Sequence, residues 1–109
     1  MAALDVSLGL HHLNGNEALY NKLLRRFADT NAQAGQEIRT AFEGGDMETA
    51  VRGAHTLKGV AASLGMPTLS EAALVVEQAL KEGVLPQGGM DALEAELALV
   101  VQAVEERLG

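Results

Sequence analysis

The chain has 109 residues, 48% of them hydrophobic and 21% charged, with a formal net charge of −7. That composition reads as one globular domain over residues 1–109, since a second domain would leave too little core for either. Phe, Trp and Tyr total 3% and cysteine is absent, which excludes base-stacking platforms, disulfides, zinc fingers and thiol catalysis, while the acidic balance disfavours nucleic acid and anionic membrane as partners.

No apolar run approaches the ~20 residues of a membrane span, and Met1–Asp5 lacks the basic stretch of a secretory signal. A soluble cytoplasmic domain is expected. The first segment, about Leu4 to His12, predicts a short helix capping one end of a core. The second opens at Asn14-Gly15-Asn16, with Asn16 as N-cap and Glu17 favourable in the first turn. Tyr20, Leu24, Phe27, Ala34, Ile38 and Ala41 keep a 3-4 spacing as far as Gly44, broken by the polar Asn31. One long helix of ~27 residues is predicted there, kinked near Gly35.

The third segment has Asp46 as N-cap and an apolar stripe of Met47, Ala50, Val51, Ala54, Leu57, Ala61 and Leu64, closed by Gly65 and then Pro67. The fourth opens on Thr68-x-x-Glu71, a capping-box pattern, and ends at Gly83. The fifth runs from about Gly89 to Leu108. No segment alternates with period two. Four long amphipathic helices with short connections predict an all-α, up-down-up-down antiparallel four-helix bundle with a short extra N-terminal helix.

The third helix carries the chemistry. His55 lies ~100° around from the core residue Ala54, at the exposed edge of the stripe. Arg52, Lys58, Gly59 and Ala62 stand at −3, +3, +4 and +7 from it, on the same face. Gly59 costs ~1 kcal/mol relative to alanine in mid-helix. With Ala62 it leaves the imidazole clear for an approaching surface. Arg52 and Lys58 bracket His55 with positive charge, and Ser63 is placed on a different face. An imidazole with an ordinary pKa of ~6.5 is largely neutral at pH 7 and a competent covalent catalyst. Phosphoryl transfer needs positioning and charge neutralisation more than acid-base groups. An exposed imidazole beside cations suits a group that accepts and donates phosphoryl groups, although a lone surface histidine is by default only solvated.

The stretch His55-Thr-Leu-Lys58-Gly59-x5-Gly65 resembles the signature of histidine-containing phosphotransfer (HPt) domains of bacterial phosphorelays. The likeness extends upstream through Gly9-Leu10, Leu13, Gly15-Asn16, Leu19-Tyr20, Leu23-Leu24 and Phe27, and through Ala41, Met47, Val51 and Ala54. Downstream it includes Leu69 and Val76-Glu77. The resemblance implies that His55 is the phosphoaccepting residue, that Lys58 contacts the phosphoryl group or the partner's acidic pocket, and that Gly59 gives access. Glu77 falls where relatives often carry Gln or Glu near the histidine, whereas the residue taken alone reads as solvated. Val60 stands where many relatives have Ser or Ala, and Gly53 has no reading from the sequence.

The implied partners are response-regulator receiver domains, and the parent polypeptide could be a hybrid sensor kinase. The domain would hold no cofactor or metal of its own, with Mg²⁺ supplied at the receiver. It would be a monomeric phosphocarrier rather than an autonomous enzyme, since no phosphate-binding glycine loop occurs. Two rival readings are the dimerisation and phosphoacceptor module of a sensor kinase and a helical interaction module without phosphorylation. The first usually has an acidic residue directly after the histidine, where this chain has Thr56. His11-His12 make a poor chelate. Lys22, Arg25 and Arg26 form a basic strip, and Glu94, Glu96, Glu105 and Glu106 an acidic face, both solvated by default.

Overall fold

The computed structural model describes residues 3–109, which form six helices and no strand. They are α1 (Val6–His12), α2 (Glu17–Asn31), α3 (Ala34–Glu43), α4 (Met47–Ser63), α5 (Pro67–Lys81) and α6 (Gln87–Leu108). The N-caps read from the sequence are in place: Asn16 Oδ1 accepts from the Leu19 amide at 3.0 Å, and Asp46 Oδ1 accepts from that of Thr49 at 3.1 Å. Asp5 caps α1 in the same way through the Leu8 amide.

The predicted long second helix is two helices, with the break at Ala32–Gln33 rather than a kink at Gly35. Polar side chains end α2: Thr30 Oγ1 donates to the Arg26 carbonyl at 2.8 Å, and Asn31 Nδ2 donates to Thr30 Oγ1. Such local bonds compete with the helical ladder. The break lets α3 turn onto α4 and reach α6. There Arg39 Nη2 lies 2.7 Å from Glu94 and 3.3 Å from Asp91. Gly35 serves that approach, because a Cβ at this position would lie 2.5 Å from Glu94 Cγ. Glu94 is therefore an inter-helix anchor and not part of a solvated acidic face.

Gly65 does end α4 as predicted. With φ at +80° it closes a Schellman motif, in which the Met66 amide bonds the Ala61 carbonyl at 2.8 Å. A side chain there would run into the Asp5 carbonyl of the segment leading into α1. α5 starts two residues earlier than the capping box implied: Met66 rather than Thr68 is the N-cap and Pro67 the first helical residue, a position that suits its fixed φ and missing amide hydrogen. α6 likewise starts at Gln87, because the Pro86 carbonyl already accepts from the Met90 amide.

The core is made by Tyr20, Leu24 and Phe27 of α2, Ile38 of α3, Ala54, Leu57 and Ala61 of α4, Leu69, Val76 and Leu80 of α5, and Met90, Leu93, Leu97 and Val100 of α6. α4 packs against both α3 and α5, and α6 against α5 and α2. Gly53 now has a reading: a Cβ there would come within 3.3 Å of Ile38 Cγ1, so the missing side chain lets α3 lie close on α4. No helix among the described residues is long and apolar enough to cross a membrane.

Candidate functional site

His55 is exposed on α4, its side chain 64% accessible, as expected for a residue off the core stripe. Its Nδ1 lies 2.8 Å from Glu77 Oε2 on α5. The other oxygen of that carboxylate, Oε1, accepts from Lys58 Nζ at 2.7 Å. Lys81, one turn after Glu77, places its ammonium 3.4 Å from Oε2. One carboxylate thus holds the histidine and two lysines, and joins α4 to α5. Ser70 Oγ, donating to the Lys58 carbonyl at 3.0 Å, adds a second tie between the same helices.

Glu77 itself is buried, only 2% exposed, which overturns the default of a solvated glutamate. An uncompensated buried carboxylate would take up a proton. Here the Lys58 hydrogen bond, followed by the bond from His55 and the charges of Lys58 and Lys81, outweighs the opposing effect of burial. The carboxyl is held at about 2, below its usual 4.5. It is ionised at neutral pH and can only accept hydrogen bonds. The proton in the His55–Glu77 contact therefore sits on Nδ1, and the lone pair sits on Nε2. Nε2 has no partner among the described residues.

A depressed folded-state value stabilises the fold above the unfolded value and loses that contribution as pH falls through the folded one. The difference in melting temperature between wild type and Glu77→Gln should be full at pH 7 and shrink between pH about 4.5 and about 2. Melts followed by circular dichroism across that range measure it. A gap that stays constant would show that Glu77 does not stabilise the fold as an ion.

The two cations read as bracketing His55 behave differently. Lys58 is held by Glu77, so the carboxylate lies between ammonium and imidazole. Arg52 reaches back along α4 to Glu48, 2.5 Å away, and contributes no ion pair to the His55 cluster. Lys81 belongs to the cluster and was missed, because nothing in a linear pattern brings residue 81 beside residue 55; the i,i+4 spacing from Glu77 was the one available signal. Ala62 is exposed, as its place on the accessible face required.

Gly59 is exposed, and a Cβ built on it would meet nothing within 4 Å. Close helix packing therefore does not require the missing side chain. Gly59→Ala should raise the stability of the fold by up to ~1 kcal/mol and still permit transfer. Gly59→Gln should fold but slow transfer sharply. Thermal melts of both variants and a transfer assay on the second test this; a lower melting temperature for the alanine variant would restore a packing role.

Beside His55 runs a groove of about 630 Å³ between α2 and α4, lined in part by Leu23, Phe27, Gly59 and Val60. Ser63, expected on another face, lines this same groove, since eight residues bring it back to within ~80° of His55. Val60 supplies apolar lining where a smaller or polar side chain would open it. His12 is not directed at His55; its Nδ1 lies 3.1 Å from the Ser63 carbonyl at the far end of α4. Among the described residues, no group of three or more His, Asp or Glu side chains is arranged to hold a metal ion.

The Hpt-domain family model matches residues 22–107, across α2 to α6 and the whole of this site. The chain belongs to the Hpt-domain family. Its fold is similar to the crystal structure of the HPT domain from an Hpt sensor hybrid histidine kinase of Shewanella, with a TM-score of 0.84 and 27% identity. That alignment covers 97% of this chain and 93% of the other. No curated protein sequence matches at a significant level. As an Hpt domain, the chain is a phosphotransfer module of two-component signalling that works with receiver domains. The family match sets aside the dimerisation module of a sensor kinase.

Proposed function

We propose that His55 accepts a phosphoryl group from the aspartate of one receiver domain and passes it to the aspartate of another. The observation that carries this reading is the contact between Nδ1 of an exposed imidazole and a buried, ionised carboxylate. That contact presents Nε2 as the nucleophile. In the forward step the Nε2–P bond forms while the bond from phosphorus to the aspartyl oxygen breaks, and the aspartate leaves as a carboxylate. Nδ1 keeps its proton, so the phosphorylated ring carries a positive charge that the Glu77 carboxylate balances. In the return step a second aspartate attacks phosphorus and neutral imidazole leaves. No proton has to move in either direction.

Lys58 and Lys81 have a double role in this scheme. Both steady Glu77 before transfer, and on transfer either ammonium can swing from the carboxylate they share with the ring to offset the charge of the bound phosphoryl group. Gly59 and Ala62 keep the approach to Nε2 clear. Mg²⁺ belongs to the receiver's acidic pocket and there neutralises the transferring group. The domain is a carrier rather than a catalyst turning over alone, and it acts as a monomer because its helices close a core within one chain. The same reading gives the long helices an up-down-up-down course, supported by a connection of only three residues between α4 and α5.

The test is incubation of the domain with a phosphorylated receiver and Mg²⁺. The expected result is transfer of label to the domain in a form that is lost in acid and kept in base, the behaviour of a phosphoramidate bond. Failure to acquire label, or label that survives acid, would refute the assignment.

A further inference from the structure

The eight cations of this acidic chain divide into two sets. Arg39 pairs with Asp91 and Glu94, Arg52 with Glu48, Lys58 and Lys81 with Glu77, and Arg107 with Glu17. Lys22, Arg25 and Arg26 pair with no carboxylate among the described residues. Acidic side chains outnumber basic ones 15 to 8, so a cation here is more readily paired than left alone. Yet the three that remain lie within five consecutive residues, all exposed, on one side of α2. Asp29, one turn further on, engages none of them.

The strip adjoins the groove beside His55, which Arg26 itself lines. Leu19, 39% exposed, and the half-buried Leu23 continue its apolar lining along α2 at the spacing of one helical turn. On the opposite wall, α4 runs from His55 past Gly59 to Ser63, a length of ~12 Å, enough for two turns of an incoming helix. The groove is thus an apolar trough with the nucleophile on one wall and the unpaired Arg26 on the other, while Lys22 and Arg25 extend the positive charge over the exposed side of α2 beyond its rim.

We infer that this trough is where the receiver's partner helix is selected: it takes a helix with an apolar ridge and an acidic edge, and Lys22, Arg25 and Arg26 read that edge. The inference rests on the phosphocarrier reading and adds the chemistry of the partner. A body of charge −7 repels an acidic partner at a distance. A local basic strip reverses the field at the one place where docking brings phosphorus to Nε2, and so sets both encounter rate and orientation.

The experiment measures transfer from a phosphorylated receiver at several salt concentrations. It compares wild type with the triple variant Lys22→Gln/Arg25→Gln/Arg26→Gln. A second triple variant, Gln87→Glu/Ala98→Glu/Gln102→Glu, makes the same change in net charge on the exposed face of α6. All three proteins are also labelled with phosphoramidate, a small donor that needs no docking surface. The α2 variant should show KM raised about 10-fold or more at low salt, kcat little changed and a flattened salt dependence. The α6 variant should stay within about 2-fold of wild type, and phosphoramidate should label all three at equal rates. If the α2 variant moves no more than the α6 variant, the docking inference is overturned and the carrier reading stands. If the α2 variant also loses phosphoramidate labelling, the three residues act on the fold or on His55, which likewise overturns it. A wild-type domain labelled by neither donor would overturn both.

Discussion

His55→Gln should abolish phosphoryl acceptance and leave the fold intact. The ring presents the unpartnered nitrogen Nε2 to solvent, so its loss removes the bond-forming partner. A mutant of an activated nucleophile retains only what positioning provides, and in a carrier that is nothing, because the covalent adduct is itself the product. The position lies off the core, and the substitution loses one hydrogen bond to Glu77, so stability should change by at most about 1 kcal/mol. Incubation with a phosphorylated receiver, followed by a thermal melt, separates the two quantities. Undiminished label on the variant would move the phosphorylation site elsewhere.

The second large effect is expected at Glu77, and the two informative substitutions there should differ. Glu77→Ala removes the acceptor for Nδ1–H and the charge that balances the phosphorylated ring. Removing one preorganised electrostatic partner of a developing charge costs roughly 10²-fold in rate, and transfer should fall by about that much. Glu77→Gln keeps an oxygen that can accept from Nδ1 and loses only the charge, so it should retain more activity, with a drop of roughly 10-fold. Nitrogen chemical shifts of His55 provide a readout that a purely structural role would not move. The Nδ1–H tautomer should dominate in wild type and in the glutamine variant and give way to a mixture in the alanine variant. Equal rates and equal tautomer populations in all three would show that Glu77 merely ties α4 to α5.

The parts of the site legible in the sequence were those governed by helix geometry. The exposure of His55 followed from its offset of one residue from Ala54. The openness around it followed from Gly59 and Ala62 on neighbouring turns. Arg52 was assigned to the same face by the same geometry, and correctly so, but a long side chain has a choice of partners. It took Glu48 behind it instead of joining the cluster around His55. The break between α2 and α3 had a local signal in Thr30-Asn31. The continuing 3-4 spacing of Ala34, Ile38 and Ala41 outweighed that signal, since periodicity alone does not distinguish one helix from two in register.

The helical character of each segment, the caps at Asn16 and Asp46, the stop at Gly65 and the exposed histidine were determined by the sequence alone, because each depends on residues within about two turns of one another. The state of Glu77 was decided only by tertiary structure. Two of its three partners, Lys58 and His55, lie 19 and 22 positions away along the chain, and their convergence turns an ordinary surface residue into a buried, ionised acceptor that fixes the proton on His55. The same holds for the basic strip on α2. Lys22, Arg25 and Arg26 are visible in the sequence as charges, but that they alone lack a carboxylate among the described residues emerges once the other five cations have found theirs, three of them across helix boundaries. Ion pairing depends on separations of a few ångströms between side chains that the fold brings together, and local pattern carries no information about such separations.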